Sequence, residues 1–158
     1  MVRTIGIRKA YETEFARCSA EKESYLTGLG LSEAATNAYM GQIFHLPSQE
    51  SPEFTVMLLN NELAGCMFLP DSEGSVLAIQ HFLVFTEARN QGLEQFYLDY
   101  AVEEARELGK EWLAFKVLSK DSYLLQLALA TGFEIHADRE IETQSGQIGL
   151  ELELRKKV

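Results

Sequence analysis

A strand–helix–strand unit in the middle of the chain restricts the fold more than any other feature. The apolar run Val76–Phe85 is followed by a polar, glycine-containing turn and then by the amphipathic stretch Gln91–Leu108. Gly109 ends that stretch, as a glycine commonly ends a helix, and a second apolar run, Trp112–Val117, comes next. Two strands joined through a helix pair in parallel with a right-handed crossover. The sequence therefore predicts a sheet that carries this helix on one face.

The rest of the chain adds antiparallel hairpins to this unit. Asn60 and Asn61 predict a tight turn between two apolar runs, because asparagine tolerates a positive φ. Gln144-Ser145-Gly146 predicts a second turn near the C-terminus. In chain order, the periodicity predicts strands and helices in the arrangement β-α-α-β-β-β-α-β-α-β-β: Thr4–Arg8, Tyr11–Ala20, Ser32–Phe44, Phe54–Leu59, Leu63–Leu69, Val76–Phe85, Gln91–Leu108, Trp112–Val117, Ser122–Ala130, Phe133–Arg139 and Gln147–Leu154.

This order predicts an α/β (α+β) fold, a mixed and mostly antiparallel twisted sheet of about seven strands flanked by about four helices. No repeat, low-complexity tract or linker divides the chain, so residues 1–158 are expected to form a single domain. The content of hydrophobic residues, 46%, excludes disorder as a description of the whole chain.

Charge and hydropathy exclude several classes of partner. The net charge of −10 argues against broad binding to nucleic acid or to an anionic membrane, since both need a basic face. No window approaches the ~20 apolar residues of a membrane span. The first residues contain no apolar run of signal-peptide length. We therefore expect a soluble, cytoplasmic protein with no nucleic-acid or membrane partner.

The cysteines and histidines give little sign of a metal or redox site. Cys18 and Cys66 are far apart and form no C-x-x-C pair. His45 and His136 have no partners at metal-ligand spacing, so no metal is expected. His81 is different, because it lies in the long strand and a neutral imidazole can accept a proton from a substrate amine. The alternative for His81 is a structural role.

Strand alternation limits what His81 can do. Gln80 and His81 are adjacent, so a regular strand would put them on opposite faces of the sheet. Only one of the two is then expected to face a cleft.

The polar turn before the long helix is the best candidate for a ligand site. The first N–H groups of a helix have no partner within the helix and lie at the positive end of its dipole, so they can hold a phosphate. Gly92 lies in this turn. A single glycine at such a place is weak evidence by itself, and an ordinary turn residue is the alternative.

The wider context of this turn resembles the GNAT superfamily of acyl-CoA-dependent N-acyltransferases. The resemblance consists of Arg89-x-x-Gly92 between a long strand and a long helix, followed by a strand and a short helix that ends in Thr131-Gly132-Phe133. It covers the chain from Phe54 to the C-terminus, and Thr4–Phe44 is compatible with the first strand and paired helices of the family.

The resemblance implies an acyl-CoA N-acyltransferase-like fold and a reaction. The family moves an acetyl or similar acyl group from coenzyme A to an amine by direct attack, with acetyl-CoA or another acyl-CoA as cosubstrate and no metal. By the same resemblance, the coenzyme-binding residues are Phe82, Leu83 and Val84 for the pantetheine arm, Arg89, Asn90, Gln91, Gly92, Leu93 and Glu94 for the pyrophosphate, and Asp121 at the start of the short helix.

Two departures from the family pattern bear on catalysis. The family loop ends in a small residue where this chain has Glu94, whose carboxylate would either repel a diphosphate or point outward and support the first helical turn. The tyrosine that the family often uses as a general acid is replaced by Ala128, and the asparagine at the start of the short helix is Asp121. Tyr123 lies more than one turn before Ala128, so it could substitute only if the helix were displaced.

Tyr123 and His81 are therefore the two catalytic candidates. A catalytically weakened, GNAT-like binding or regulatory module is the alternative function. The acceptor is expected to be a small-molecule or peptide amine, and the negative net charge could attract a cationic one. The resemblance puts the acceptor cleft around Tyr25–His45 and Arg139–Gln147, which carry no motif, and the edge of the Ile141–Leu154 hairpin could pair in a homodimer.

Overall fold

The computed structural model describes residues 3–43, 54–71, 73–142 and 148–158. The predicted order of strands and helices is confirmed in these ranges. The elements are β1 Ile5–Lys9, α1 Phe15–Gly28, α2 Glu33–Ile43, β2 Phe54–Leu59, β3 Glu62–Phe68, β4 Val76–Val84, α3 Leu93–Glu107, β5 Trp112–Leu118, α4 Ser122–Ala130, β6 Glu134–Glu142 and β7 Ile148–Lys157. Phe44, His45, Gln147 and the predicted turn Gln144-Ser145-Gly146 lie outside the described residues.

All seven described strands belong to one sheet, in the order β1-β2-β3-β4-β5-β7-β6. Among them, β4 and β5 pair in parallel across α3, and every other neighbouring pair is antiparallel. The prediction of a mixed, mostly antiparallel sheet with four helices is therefore confirmed. None of the described helices is long and apolar enough to span a bilayer.

Local sequence explains how the strands β2, β3 and β4 come together. Asn60 and Asn61 have φ of 52° and 67°, so they form the predicted tight turn between β2 and β3. Gly65 is required for a different reason, because a Cβ at this position would lie 2.5 Å from the carbonyl oxygen of Leu83. Its missing side chain lets β3 approach β4 closely.

The helix α3 packs its apolar face on the sheet. Its buried residues are Leu93, Glu94, Tyr97, Leu98, Ala101, Val102 and Ala105. The Tyr97 hydroxyl donates a hydrogen bond to the carbonyl oxygen of Thr55, with a distance of 2.9 Å, and this bond satisfies the polar end of a fully buried ring. The helix begins at Leu93 and not at Gln91 as predicted, because Gly92 has a left-handed φ of 78° that a helix cannot include.

The helix α1 is longer than predicted, ending at Gly28 where the periodicity suggested Ala20. The polar residues after Ala20 interrupt the apolar pattern, but Leu26 continues it on the same face with only 1% of its surface exposed. At the other end of the chain, β6 ends at Glu142 and β7 at Lys157, beyond the predicted Arg139 and Leu154, because the two strands continue to pair with each other and β7 with β5 where local hydropathy is low.

The parallel strands β4 and β5 separate along their length. Their pairing stops at Ile79 and Phe115. Beyond that point β5 continues to pair with β7 as far as Leu118, and β4 continues to pair with β3 as far as Val84. The sheet therefore opens between the C-terminal ends of β4 and β5, at the edge from which the turn before α3 also departs.

Candidate active-site cleft

The opening between β4 and β5 widens into a cavity of about 730 Å³. Its walls come from β4, β5, β6 and β7 and from the helices α1, α2 and α4. The lining residues include Lys22, Tyr25, Tyr39, Gln80, His81, Phe82, Lys116, Asp121, Leu124, Arg139 and Glu151. A concave site of this volume, lined by apolar residues and a few polar groups, is typical of small-ligand binding.

His81 changes the direction of β4 inside this cleft. Its φ is 56°, and the register between β3 and β4 is irregular at the same place. The left-handed backbone interrupts the strand alternation here, and the whole run of residues 78–82, which includes Gln80 and His81, lines the cavity. Which of the two side chains faces the cleft stays a prediction. The His81 ring is 8% exposed and stacks on Phe68 with the centroids 6.2 Å apart, and its role as a base stays a prediction.

The turn before α3 presents a helix N-terminus that no side chain caps. Asn90 and Gly92 both have positive φ, 61° and 78°, and both are exposed. No side chain makes a cap hydrogen bond at Gly92. A Cβ added to Gly92 would meet nothing within 4 Å, so a side chain would not clash here. The glycine is needed because its backbone conformation is left-handed. The N–H groups of the first turn are therefore available to an anionic group.

Glu94 is the unexpected feature of this helix end. Its side chain is 4% exposed, although it lies in the first turn of α3. Within the described part of the chain, its Oε1 atom has no hydrogen-bond partner. Burial raises the pKa of Tyr123, and the negative charge of Glu94 and a hydrogen bond with it raise that pKa further. The carboxylate therefore lies buried beside Tyr123 and does not point to solvent, and repulsion of a bound diphosphate by it stays a prediction.

A narrow crevice joins the turn to the large cavity. It is lined by Tyr25, Phe82, Leu83, Val84, Arg89, Glu94, Tyr123 and Leu124 and encloses about 10 Å³. The structure thus brings five of the predicted coenzyme-binding residues together, along with Tyr123. The Arg89 guanidinium lies 4.1 Å above the centre of the Tyr25 ring, and its Nε donates a hydrogen bond to the Val84 carbonyl oxygen over 3.4 Å.

Asp121 holds the start of α4 and the hydroxyl of Tyr25. The Asp121 side chain is 4% exposed, and its Oδ1 accepts a hydrogen bond of 3.3 Å from the backbone N–H of Leu124. Tyr25 donates its hydroxyl proton to Oδ2 of the same carboxylate. Burial, followed by the negative charge of Asp121, raises the pKa of Tyr25 well above its usual range, so this hydroxyl stays protonated. Contact between Asp121 and a coenzyme stays a prediction.

The two catalytic candidates lie in different parts of the site. Tyr123 is 40% exposed and lines the crevice beside Glu94, away from the large cavity. His81 lines the large cavity. Ala128, which stands where the family often has a tyrosine, is fully buried in the core. Tyr25, Phe82 and Leu124 are shared by the cavity and the crevice, so they mark the junction between the two spaces.

The regions predicted to surround the acceptor cleft, Tyr25–His45 and Arg139–Gln147, contribute Tyr25, Tyr39 and Arg139 to the cavity, but sequence reasoning assigned no role to any of these residues and did not include Lys22. Lys22 and Tyr25 follow Cys18 at helical spacing, and extending α1 past Ala20 would have put all of them on one face. A second group spans α2, β6 and β7. The Tyr39 hydroxyl donates to one oxygen of Glu151 over 2.7 Å, and Arg139 donates to the other over 2.9 Å.

Glu151 is 4% exposed, and each of its carboxylate oxygens accepts a hydrogen bond from one of these two donors. Its two partners come from elements distant in sequence, and no local motif signals this arrangement. In the described ranges, no three His, Cys, Asp or Glu side chains gather into a set that could hold a metal ion.

Comparisons with known proteins connect this architecture to solved structures. No protein-family model matches the sequence, and no curated protein matches it. An acetyltransferase of the GNAT family from Streptococcus pneumoniae is similar in structure, with a TM-score of 0.67 and 16% identity over 98% of this chain and 100% of that one. Ard1 from Thermoplasma volcanium gives a TM-score of 0.74 with 14% identity over 98% and 97% of the two chains.

A third neighbour was solved with a ligand. The protein yncA from Salmonella typhimurium, in a structure with its cofactor acetyl-CoA, gives a TM-score of 0.63 and 19% identity over 97% of this chain and 93% of that one. At these identities the likeness concerns the fold, and it extends over nearly the whole of each chain.

Proposed function

From the GNAT fold of this chain, we propose that it is an acyl-CoA-dependent N-acyltransferase, which moves an acetyl or similar acyl group to an amine. The observation that carries the proposal is the separation of β4 from β5 beside an uncapped helix N-terminus. The two features meet at the junction formed by Tyr25, Phe82 and Leu124. Acetyl-CoA carries its diphosphate between the nucleotide and the pantetheine arm and its thioester at the far end of that arm, so it would extend from the helix end toward the cavity along this line.

The residues at the two ends of this path would have different tasks. The pyrophosphate would be held by the amides after Gly92, where the dipole of α3 favours negative charge. The pantetheine arm would follow the backbone of Phe82–Val84, since that side of β4 has lost β5 as a neighbour. The thioester would then lie at the junction, next to the large cavity that would receive the amine.

Transfer would proceed by direct attack inside the cavity. The nitrogen lone pair of the acceptor forms a bond to the thioester carbonyl carbon, the C–S bond breaks, and the proton released by the nitrogen goes to a base or to the leaving thiolate. Such a reaction gains mainly from positioning, and one acid or base adds typically ~10²–10⁴-fold. His81 is the candidate base in the cavity, and no covalent intermediate on the protein is required.

A binding or regulatory module with weakened catalysis is the second candidate. The buried carboxylate of Glu94 beside the proposed diphosphate site favours it, and so does the small volume of the crevice, about 10 Å³. A negative charge there opposes an anionic ligand, and the side chains of the crevice would have to move for a pantetheine arm to enter.

Calorimetric titration with acetyl-CoA tests the proposal. We expect the wild-type protein to bind with a dissociation constant in the micromolar range, which corresponds to roughly −8 kcal/mol. Release of the coenzyme thiol in the presence of a panel of amines then identifies a transferase. Binding without thiol release from any amine would favour the binding module. Absence of binding in both the wild type and Glu94→Gly would reject the coenzyme proposal.

A further inference from the structure

A lysine lies on the inward face of α1, where packing alone would favour an apolar residue. Lys22 follows the fully buried Cys18 by one turn and precedes Tyr25 by less than one turn. Leu26, one turn after Lys22, is 1% exposed. Lys22 itself is half-buried and lines the large cavity. Lysine is rarely found on such a face unless it is paired, so its presence needs another explanation.

The surroundings of Lys22 provide no counter-ion at contact distance. In the ranges that the structure describes, no carboxylate forms an ion pair with its ammonium, and its Nζ lies 5.5 Å from the centre of the Tyr25 ring. Burial lowers the pKa of Lys22 and the positive charge of Arg89 acts in the same direction, whereas the electrostatic influence of Cys66 and Asp121 offsets part of the decrease. A larger share of this amine is therefore neutral and nucleophilic than is the case for a lysine at the surface.

Lys22 also lies close to the place proposed for the thioester. Tyr25 belongs to the junction between cavity and crevice, and Lys22 lies beside it on the same helix face. The other lysine that lines the cavity, Lys116, is exposed on β5. An acyl group presented at the junction would thus meet the amine of Lys22 at the wall of the cavity.

We propose that Lys22 is a self-acylation site, an inference that rests on the proposed acyl-CoA chemistry. The neutral Nζ attacks the carbonyl carbon of the thioester bound in the same molecule. A C–N bond forms, the C–S bond breaks, and the proton lost by the nitrogen goes to the leaving thiolate. The products are Nε-acyl-Lys22 and free coenzyme A. The new amide is neutral and no longer a nucleophile, so each chain is modified once at this position.

Peptide mass spectrometry during incubation of the full chain with acetyl-CoA tests this proposal. We expect Lys22 to be acetylated roughly tenfold or more faster than the exposed Lys120, because a positioned nucleophile has a high effective concentration. The rate constant should not depend on protein concentration, since the reaction occurs within one molecule. Lys22→Arg should remove the fast modification, and the control variant Lys157→Arg, at an exposed lysine outside the cavity, should leave it unchanged.

Acetyl-CoA binding, measured by calorimetry on the same samples, separates this proposal from the proposed function. Binding together with acetylation of Lys22 no faster than that of Lys120 overturns self-acylation and leaves the proposed function intact. A rate that rises with protein concentration also overturns it, because the acyl group then passes between molecules. If Gly92→Val no longer binds acetyl-CoA but its Lys22 is acetylated as fast as in the wild type, self-acylation is overturned as well. No binding by the wild type removes both proposals.

Discussion

At the scale of single residues, Glu94 is the side chain with the largest expected influence on ligand affinity. Its carboxylate is buried at the N-terminus of α3, and one of its oxygens has no hydrogen-bond partner in the described part of the chain. The same helix end is the proposed site of a diphosphate. Two negative groups about 5 Å apart at an effective dielectric constant near ~20 repel by about 3 kcal/mol before salt screening.

We therefore expect Glu94→Gln to bind acetyl-CoA more tightly, by about tenfold or more at low salt and by less at high salt. Glutamine keeps the size and helix propensity of the side chain and removes its charge. Calorimetry on both proteins at two salt concentrations measures the difference. Glu87→Gln is the control, because Glu87 is exposed in the short turn before the loop. Equal affinity of wild type and Glu94→Gln would contradict the prediction.

A second residue-scale feature anchors the helix that carries Lys22 and Tyr25. Glu14 receives two hydrogen bonds from Arg8, at 2.7 and 2.9 Å, and one of 2.8 Å from the backbone N–H of Tyr11. The hydrogen bonds from Arg8 lower the pKa of Glu14 below its usual value, and the Tyr11 N–H acts in the same direction. This ties β1 to the start of α1.

Because the pKa of Glu14 is lower in the folded protein than in the unfolded chain, its carboxylate stabilises the fold at pH values above the unfolded pKa. This stabilisation is lost as the pH falls through the pKa of Glu14 in the folded protein. We expect Glu14→Gln to reduce the free energy of unfolding by about 1 kcal/mol at neutral pH. The difference from wild type should shrink as the pH falls below about 4. Urea unfolding across this pH range measures it. Glu12→Gln, at a neighbouring exposed acid, should show no such difference, and a constant Glu14 effect at all pH values would argue against this ion pair.

At the scale of elements, the two ends of α3 offer a matched comparison. Gly92 precedes the helix with φ of 78°, and Gly109 follows it with φ of 71°. A Cβ at either position would meet nothing within 4 Å, so both substitutions strain the backbone without a clash. The N-terminal end faces the crevice, and the C-terminal end does not.

Replacing either glycine by valine is expected to cost about 1–2 kcal/mol of stability through the left-handed backbone. Only Gly92→Val should also abolish acetyl-CoA binding, because it displaces the amides of the first turn. Calorimetry combined with thermal unfolding separates the two effects. If Gly92→Val binds as tightly as Gly109→Val, the loop is not the coenzyme site.

At the scale of the whole molecule, ligand binding across the open sheet should stabilise the fold. The proposed path touches β4, α1, α3 and α4, so a bound acyl-CoA would connect elements that are otherwise separated by the cleft. A ligand that binds only the folded state adds about 2.7 kcal/mol when its concentration is 100-fold above its dissociation constant.

For a chain of this length, that energy corresponds to a rise in Tm of roughly 5–10 °C. Scanning calorimetry with and without acetyl-CoA measures the shift. Gly92→Val should show no shift, whereas Gly109→Val should show the wild-type shift from its own lower Tm. A wild-type Tm that is unchanged by saturating acetyl-CoA would count against the proposed function.

Local sequence determined the order of strands and helices and the position of the polar turn. Periodicity distinguishes helices from strands within a dozen residues, and residues such as Asn60, Asn61 and Gly92 adopt positive φ because of their own chemistry. The order of elements, with one helical crossover between hairpins, then restricts the sheet to a mixed topology, and the resemblance of the loop to the GNAT pattern followed from the same local signals.

The tertiary structure alone decided which side chains meet in the cleft. The inward turn of Glu94, the left-handed backbone at His81 and the insertion of β7 between β5 and β6 depend on contacts between distant segments. The same is true of the positions of Lys22 and Tyr25, whose helix continues past a polar stretch because Leu26 finds a place in the core. Hydropathy reports whether a side chain can be buried, but what surrounds it depends on the packing of elements that lie far apart in the sequence.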